Sequence, residues 1–480
     1  MLFNSPEYML FLPIVFLLYW LTTRSARSQN ALLLLVSYIF YGWWDWRFLG
    51  LIFGASVMAY TCGRLIERYS SSTRACKAIC AANILVSFGI LGVYKYYNFF
   101  AANLAALGRS LGFEPGWVTL ELVLPVGISF YTFQAVGYTI DVYRRNVAAE
   151  RNIVTFLAFI SFFPQLVAGP IERAAALLPQ FGRRRTFDYD EAVDGLRRIL
   201  WGLFKKMVVA DNCAQTVDWA FANYQTTGGL NLVAGAVLFS IQMYCDFSGY
   251  SDIALGSARL LGIQLMTNFR FPYFSRSIAE FWSRWHISLT TWFRDYVYIP
   301  LGGNRHGLNA TVRNTVAVFL ISGFWHGADW TFIAWGAFNA MLFVPLLYTG
   351  TSRKYKRSTV AEGRLLPSAG EVALMAVTFA LVVAGRVLYR AESLPAAGAI
   401  FRKMFTDFHH TNMPHQNIVV LYIAVMFIVE WTHRTCDYGF DIKGRGLMRY
   451  RPWRWFVYLV LTLAVLLCAG RQESFIYFQF

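Results

Sequence analysis

Two histidines have the side-chain type and the setting from which chemistry could be built. His326 lies in Ile321-Ser322-Gly323-Phe324-Trp325-His326-Gly327-Ala328-Asp329-Trp330, between apolar runs at 316–324 and 330–347. An ionisable ring within or near a membrane is costly unless it faces the protein interior or a water-filled path. Imidazole is also the side chain best suited to moving a proton near neutral pH. His286 lies in Phe281-Trp282-Ser283-Arg284-Trp285-His286-Ile287-Ser288-Leu289, inside a stretch, 268–305, that mixes aromatics with Arg270, Arg276, Arg284, Arg294 and Arg305. That stretch is too polar to span a bilayer and too aromatic for a free loop. At helical spacing Phe281, Trp285, Leu289 and Trp292 share one face, with His286 and Thr290 on an adjacent strip. Such a segment could line a cytoplasmic entrance, its arginines placed to hold phosphate groups. It could equally be an interfacial helix whose histidine caps or packs.

The other histidines carry less. His306 falls in the turn sequence Gly302-Gly303-Asn304-Arg305-His306-Gly307, where the paired glycines could approach a nucleotide phosphate but read more simply as a turn. His409, His410 and His415 are spaced as metal ligands might be, yet no fourth ligand accompanies them, so no metal site is expected. His433 ends an apolar run beside Arg434 and reads as interfacial. The seven cysteines are scattered and form no CxxC pair, which argues against a zinc site or a disulfide framework.

The elements that must position these residues are membrane spans. Of 480 residues, 57% are hydrophobic and 15% charged, with a mean hydropathy of +0.42, where a soluble domain would carry about a quarter charged residues. The formal charge of +16 would suggest nucleic acid in a soluble protein. Here the basic residues cluster in short loops between apolar runs, the distribution of cytoplasmic loops, and nucleic acid is not the expected partner. Candidate spans are 8–22, 30–44, 48–62, 78–94, 118–143, 230–247, 250–265, 311–325, 330–348, 371–388, 417–431 and 455–468. Placing the basic loops in the cytoplasm puts both termini outside, and the first span reads as retained rather than as a signal peptide.

Two segments break the pattern. Residues 152–169 are apolar enough to span, but basic residues flank both sides and Pro164 and Pro170 would break a helix. A re-entrant hairpin satisfies both facts, and irregular backbone at that depth must be buried in protein or line a cavity. Residues 188–224 interleave Arg197, Arg198, Lys205 and Lys206 with leucines and Phe204, as an amphipathic helix on the inner membrane surface would, or as a plain basic loop helix would. Asp246 and Asp252 lie at a junction of two expected spans, where pairing with a nearby Arg or with backbone donors is favoured over lining a route. No period of 20–50 residues repeats, which counts against an inverted-repeat transporter.

Three blocks resemble those of membrane-bound O-acyltransferases: Gln242-Met243-Tyr244-Cys245-Asp246-Phe247-Ser248-Gly249-Tyr250-Ser251-Asp252, Phe281-Trp282-Ser283-Arg284-Trp285-His286 and Gly323-Phe324-Trp325-His326-Gly327. The first eight residues, Met1 to Tyr8, and the last six, Phe475 to Phe480, are similar to the alginate O-acetyltransferase branch, and the D-alanyl-transferring branch matches less well. The resemblance implies one all-α polytopic domain over 1–480, a ring of helices around a thin core with re-entrant segments and a through-membrane tunnel. It implies His326 as the essential histidine and His286 as its companion. It further implies multi-pass insertion in a bacterial inner membrane among membrane lipid. The donor would be a cytoplasmic acyl thioester such as acetyl-CoA, with no tightly bound cofactor. The acceptor would be a polysaccharide or a periplasmic acetyltransferase. Neutral His326 would take the hydroxyl proton, or relay the acyl group as an acyl-imidazole. A proton-coupled transporter is the alternative from another class.

Overall fold

A computed structural model describes residues 1–22, 24–113, 116, 120, 122–167, 169–356, 358–410, 413, 416–442 and 446–476. Most of the apolar runs named above contribute a helix of their own, and there is no strand among the described residues. Of the span expected at 118–143 only Ile128–Tyr143 is helical, and 118, 119 and 121 lie outside the described residues. Backbone groups away from water must bond within their own segment, and a helix does this without a partner. Among the described residues five helical stretches are long and apolar enough to cross a membrane: Trp46–Arg68, Thr73–Ser110, Gly229–Leu260, Trp330–Tyr348 and Ala369–Arg390. The shorter Pro6–Thr22 and Ile418–Thr432 are apolar too. The chain packs as two compact units, Met1–Ala192 with Ser257–Met266, and Val193–Gly256 with Thr267–Phe480.

The first unit holds α1 (Pro6–Thr22), α2 (Ala26–Gly42), α3 (Leu49–Arg68), α4 (Thr73–Leu91), α5 (Tyr97–Ser110), α6 (Ile128–Tyr143), α7 (Ile153–Ser161), α8 (Phe163–Leu166) and α9 (Ala174–Gly182). Its centre is α6, a helix buried on nearly every side, its polar residues such as Gln134 and Thr139 included. Residues 152–169 are not one span. Helix α7 runs only nine residues, Phe162 leaves helical geometry at ψ 108°, and Pro164 starts the one-turn α8. The freed backbone is satisfied internally: Gln165 Nε2 donates to Phe159 O at 2.8 Å, and Ser37 Oγ accepts from Phe163 N–H at 3.1 Å. Gly127, at φ +74°, passes so close to this break that a Cβ would lie 2.7 Å from Leu166 O.

The second unit begins within α10 (Tyr189–Leu203) and continues through α11 (Asp211–Ala222), α12 (Gly229–Leu260), α13 (Ile278–Arg284), α14 (Ile287–Phe293), α15 (Gly307–His326), α16 (Trp330–Tyr348), α17 (Ala369–Arg390), α18 (Leu394–Thr406), α19 (Gln416–Thr432) and α20 (Arg451–Leu467). Here the structure differs twice from expectation. The two spans expected at 230–247 and 250–265 are one 32-residue helix, α12. Its glycines are contact points rather than breaks: a Cβ on Gly249 would meet Gly202 O at 2.8 Å.

The basic segment after Tyr189 is not a surface helix either. Between α10 and α11 the chain widens into a π turn over Phe204–Ala210, and Arg198, Lys205 and Lys206 are all buried. Each finds a carboxylate. Asp252 meets Arg198 Nε at 2.8 Å and Lys205 Nζ at 2.7 Å, while Lys206 Nζ lies 2.7 Å from Asp246 and 2.8 Å from Asp211. Asp252 thus has the arginine expected of it and Asp246 a backbone donor, Ile476 N–H at 2.8 Å, while the lysines were not anticipated. Removing one member of a buried pair strands the other charge and costs about 3–5 kcal/mol. Asp252→Ala, which strands two bases, should lower the detergent-solubilised melting temperature strongly. Melting like the parent chain would contradict this account.

Candidate active site

His326 is the last residue of α15, and the turn after it is set by packing between helices. Helices α15 and α16 cross where Gly323 and Gly336 face one another, and a Cβ on Gly323 would lie 2.4 Å from Phe332 O. Small residues at such crossings let backbones approach closely. Asp329 Oδ1 then caps α16 by accepting from Thr331 N–H at 2.8 Å. The result carries His326 inward, where its ring is buried against Trp325, Trp335 of α16 and Tyr389 of α17, at centroid distances of 4.9, 5.1 and 5.6 Å. Tyr389 Oη lies 3.4 Å from His326 Nδ1.

The histidine at 286 is held differently. The continuous helical face expected through 281–292 is broken, because α13 ends at Arg284 and α14 begins at Ile287. His286 sits in the gap in the left-handed region, at φ 43°, as does Phe271 at φ 48°. A non-glycine residue there costs roughly 1–2 kcal/mol and persists only where the surroundings over-determine it. Two backbone bonds do so, Ile287 N to Asn268 O at 2.9 Å and Arg270 N to Arg284 O at 3.0 Å. The Asn268 side chain completes the hold. Its Oδ1 accepts from the Ser288 hydroxyl at 2.9 Å and lies 3.1 Å from His286 Nδ1. An oxygen that accepts from Ser288 requires His286 Nδ1 to carry the hydrogen, which fixes the neutral tautomer with its lone pair on Nε2.

The structure brings both sequence-derived histidines into one unit, with Trp325 as a shared neighbour, 4.9 Å from the His326 ring and 6.3 Å from that of His286. Asn268, Tyr389 and Trp335 were not singled out from the sequence, and no local pattern marks them. Four of the five arginines of 268–305 already have a carboxylate beside them. Buried Arg276 and half-buried Arg284 share Glu280, at 3.1 and 2.8 Å, and Arg276 also lies 3.5 Å from Glu371. Exposed Arg270 and Arg294 lie 3.7 and 2.7 Å from Asp437 and Asp295. Gly302 and Gly303 form a turn at positive φ. Among the described residues no group of His, Cys, Asp and Glu is arranged to hold a metal, and the third ligand of the histidine-rich loop, His415, lies outside them.

Burial pushes the His286 imidazole down to about 3, from an ordinary 6.5. The ring is thus neutral in the fold while the unfolded chain takes up a proton below about 6.5. The unfolded state binds more protons across that window, so this group's contribution to stability is lost as pH falls from about 6.5 toward 3. The expected outcome is a parent melting temperature that falls more steeply between pH 7 and pH 4 than that of His286→Gln, which cannot titrate. Parallel pH profiles for the two chains would refute it.

Comparison with known proteins supplies the chemical class. The family model for the membrane-bound O-acyltransferase family matches residues 144–360, which include both histidines. The probable alginate O-acetylase of Pseudomonas syringae pv. tomato is 40% identical over 435 residues, 90% of this chain and 81% of the relative. The probable alginate O-acetylase of Azotobacter vinelandii is 40% identical over 431 residues, 89% of this chain and 83% of the relative. The peptidoglycan O-acetyltransferase of Helicobacter pylori is 33% identical over 436 residues, 84% and 80% of the two chains. With its helical architecture and membrane-length helices, this multi-pass chain belongs to the membrane-bound O-acyltransferase family and is an O-acyltransferase.

Proposed function

We propose that the chain moves an acetyl group from a cytoplasmic thioester, acetyl-CoA, across a bacterial inner membrane for O-acetylation of an exopolysaccharide such as alginate. A periplasmic acetyltransferase would take the group onward to the polysaccharide. The observation that carries this reading is the 40% identity to alginate O-acetylases across nine-tenths of the chain. Acetyl-CoA is the donor substrate in this scheme, not a resident cofactor. The whole of 1–480 acts as one catalytic domain, with a route from donor to acceptor through its core.

His326 is the proposed base. If Nδ1 carries the ring hydrogen and donates to Tyr389 Oη, the lone pair lies on Nε2, ready to take the proton of an incoming hydroxyl. The hydroxyl oxygen forms the new C–O bond, the carbonyl electron pair moves onto oxygen, and collapse expels the thiolate. The imidazolium returns its proton to that thiolate, and the ring is neutral again. Aromatic walls around His326 keep water from competing with the acceptor. His286, rigid and neutral, orients the thioester from the other side of Trp325.

Loss of a general base typically costs about 10²–10⁴-fold in rate. A strain lacking this chain and complemented with His326→Ala should therefore make polysaccharide without ester-linked acetyl, by mass analysis, while the variant accumulates in the membrane at the parent level. Retained acetylation would overturn the assignment. Loss of ester-linked alanine instead would redirect it to aminoacyl transfer.

A further inference from the structure

The buried charges of the second unit are nearly all matched, and Arg386 stands apart from them. It lies in α17, one of the helices long and apolar enough to cross a membrane, and is 2% exposed. Its Nε and Nη2 are buried with no hydrogen-bond partner, and no carboxylate pairs with it among the described residues. Burial pushes the Tyr273 phenol well above its ordinary value, while the charge of Arg386 and a hydrogen bond from it pull the other way, so the guanidinium has a neutral phenol beside it rather than an anion. The Tyr273 hydroxyl itself bonds Ser240 O. An intramembrane guanidinium without a counter-charge is among the more expensive things a protein can bury.

Its surroundings connect the two histidines. The Arg386 Cζ lies 4.5 Å over the ring of Trp285, the residue before His286, and 5.8 Å from the ring of Tyr389, which bonds His326. Arg386 and Tyr389 are three apart on α17, so they share a face. A guanidinium resting on an aromatic ring keeps its donors for acceptors in its own plane.

We propose that Arg386 is a further catalytic residue, whose unpaired N–H groups donate to the acyl oxygen as it becomes negative. When the acceptor oxygen attacks, the carbonyl electron pair becomes an oxyanion, and its charge is the missing partner of the guanidinium. When the C–S bond breaks, the pair returns to re-form the carbonyl, and Arg386 is left as before. Donors already in place in a dry site stabilise such an anion without reorganising, and removing one costs about 10²–10³-fold in kcat. The cost of burying the charge is then met by the transition state rather than by the resting fold. This inference rests on the acyl-transfer reading of His326.

The test uses membrane vesicles from cells lacking the endogenous chain and complemented with the full-length parent, Arg386→Met, Arg386→Lys or His326→Ala. CoA release is followed at varied acetyl-CoA, alongside detergent melting curves. Arg386→Met should melt at or above the parent temperature, because an unpaired buried charge has gone. It should lose about 10²–10³-fold in kcat with KM for acetyl-CoA within about threefold of the parent. Arg386→Lys should recover part of the rate. A folded, active Arg386→Met overturns the inference, as does a raised KM at parent kcat, which would mark a site for the donor's own anionic groups. Failure of both arginine variants to fold also overturns it, since the residue would then be structural. If His326→Ala releases CoA at the parent rate, the underlying reading falls. If it is inactive while Arg386→Met is active, only the present inference does.

Discussion

Matching charge in a medium that cannot solvate it is the constraint on which the second unit depends. Lys206 is held between Asp211 and Asp246, and Asp252 between Arg198 and Lys205. The carboxylate of Glu430 accepts from Tyr244 Oη at 2.9 Å. These groups come from α10, the π turn, α11, α12 and α19, so the pairs fix how those helices register on one another. Lys206 also donates to Glu473 O at 3.1 Å and Asp246 accepts from Ile476 N–H at 2.8 Å. The charge network therefore anchors the C-terminal segment to α12 as well.

Against that background the local strain around His286 becomes intelligible. A regular helix through 281–292 would have put His286 on a strip beside Phe281 and Trp285. Breaking it at a left-handed residue instead drops the ring onto Asn268 and Phe247, the latter 4.6 Å away and edge-on. Two left-handed residues, Phe271 and His286, flank the paired backbone bonds that hold this arrangement. The strain is concentrated at one buried ring and absorbed by hydrogen bonds on either side, as it must be to persist. His326 is positioned more cheaply, by a helix end and a glycine crossing.

Much of this was legible in the chain. The apolar runs named the helices, the spacing of basic loops named a membrane protein, and the Trp-His blocks named the two rings. Asp246 and Asp252 were readable as paired, because carboxylates among apolar residues need a counter-charge. Arg386 lies within the run 371–388 and was not singled out there, because nothing local shows whether a partner awaits it. What misled was local: the polar stretch around 248–249 divided one long helix into two expected spans, and the lysines of 188–224 looked outward and turned inward. Glycine content and amphipathic spacing do not say which neighbour will fill the space.

The sequence by itself determined the all-helical membrane class, since hydropathy acts over one helix at a time, and it singled out two histidines as candidates through their Trp-His blocks. Only the tertiary structure decided their partners. Tyr389 is 63 residues from His326 and Asn268 is 18 from His286. Contacts at such separations follow from how helices cross, through glycine notches, buried ion pairs and ring packing. The tautomer of His286, the neighbours of His326 and the unmatched charge of Arg386 are all properties of that crossing geometry, and no linear stretch of the chain contains them.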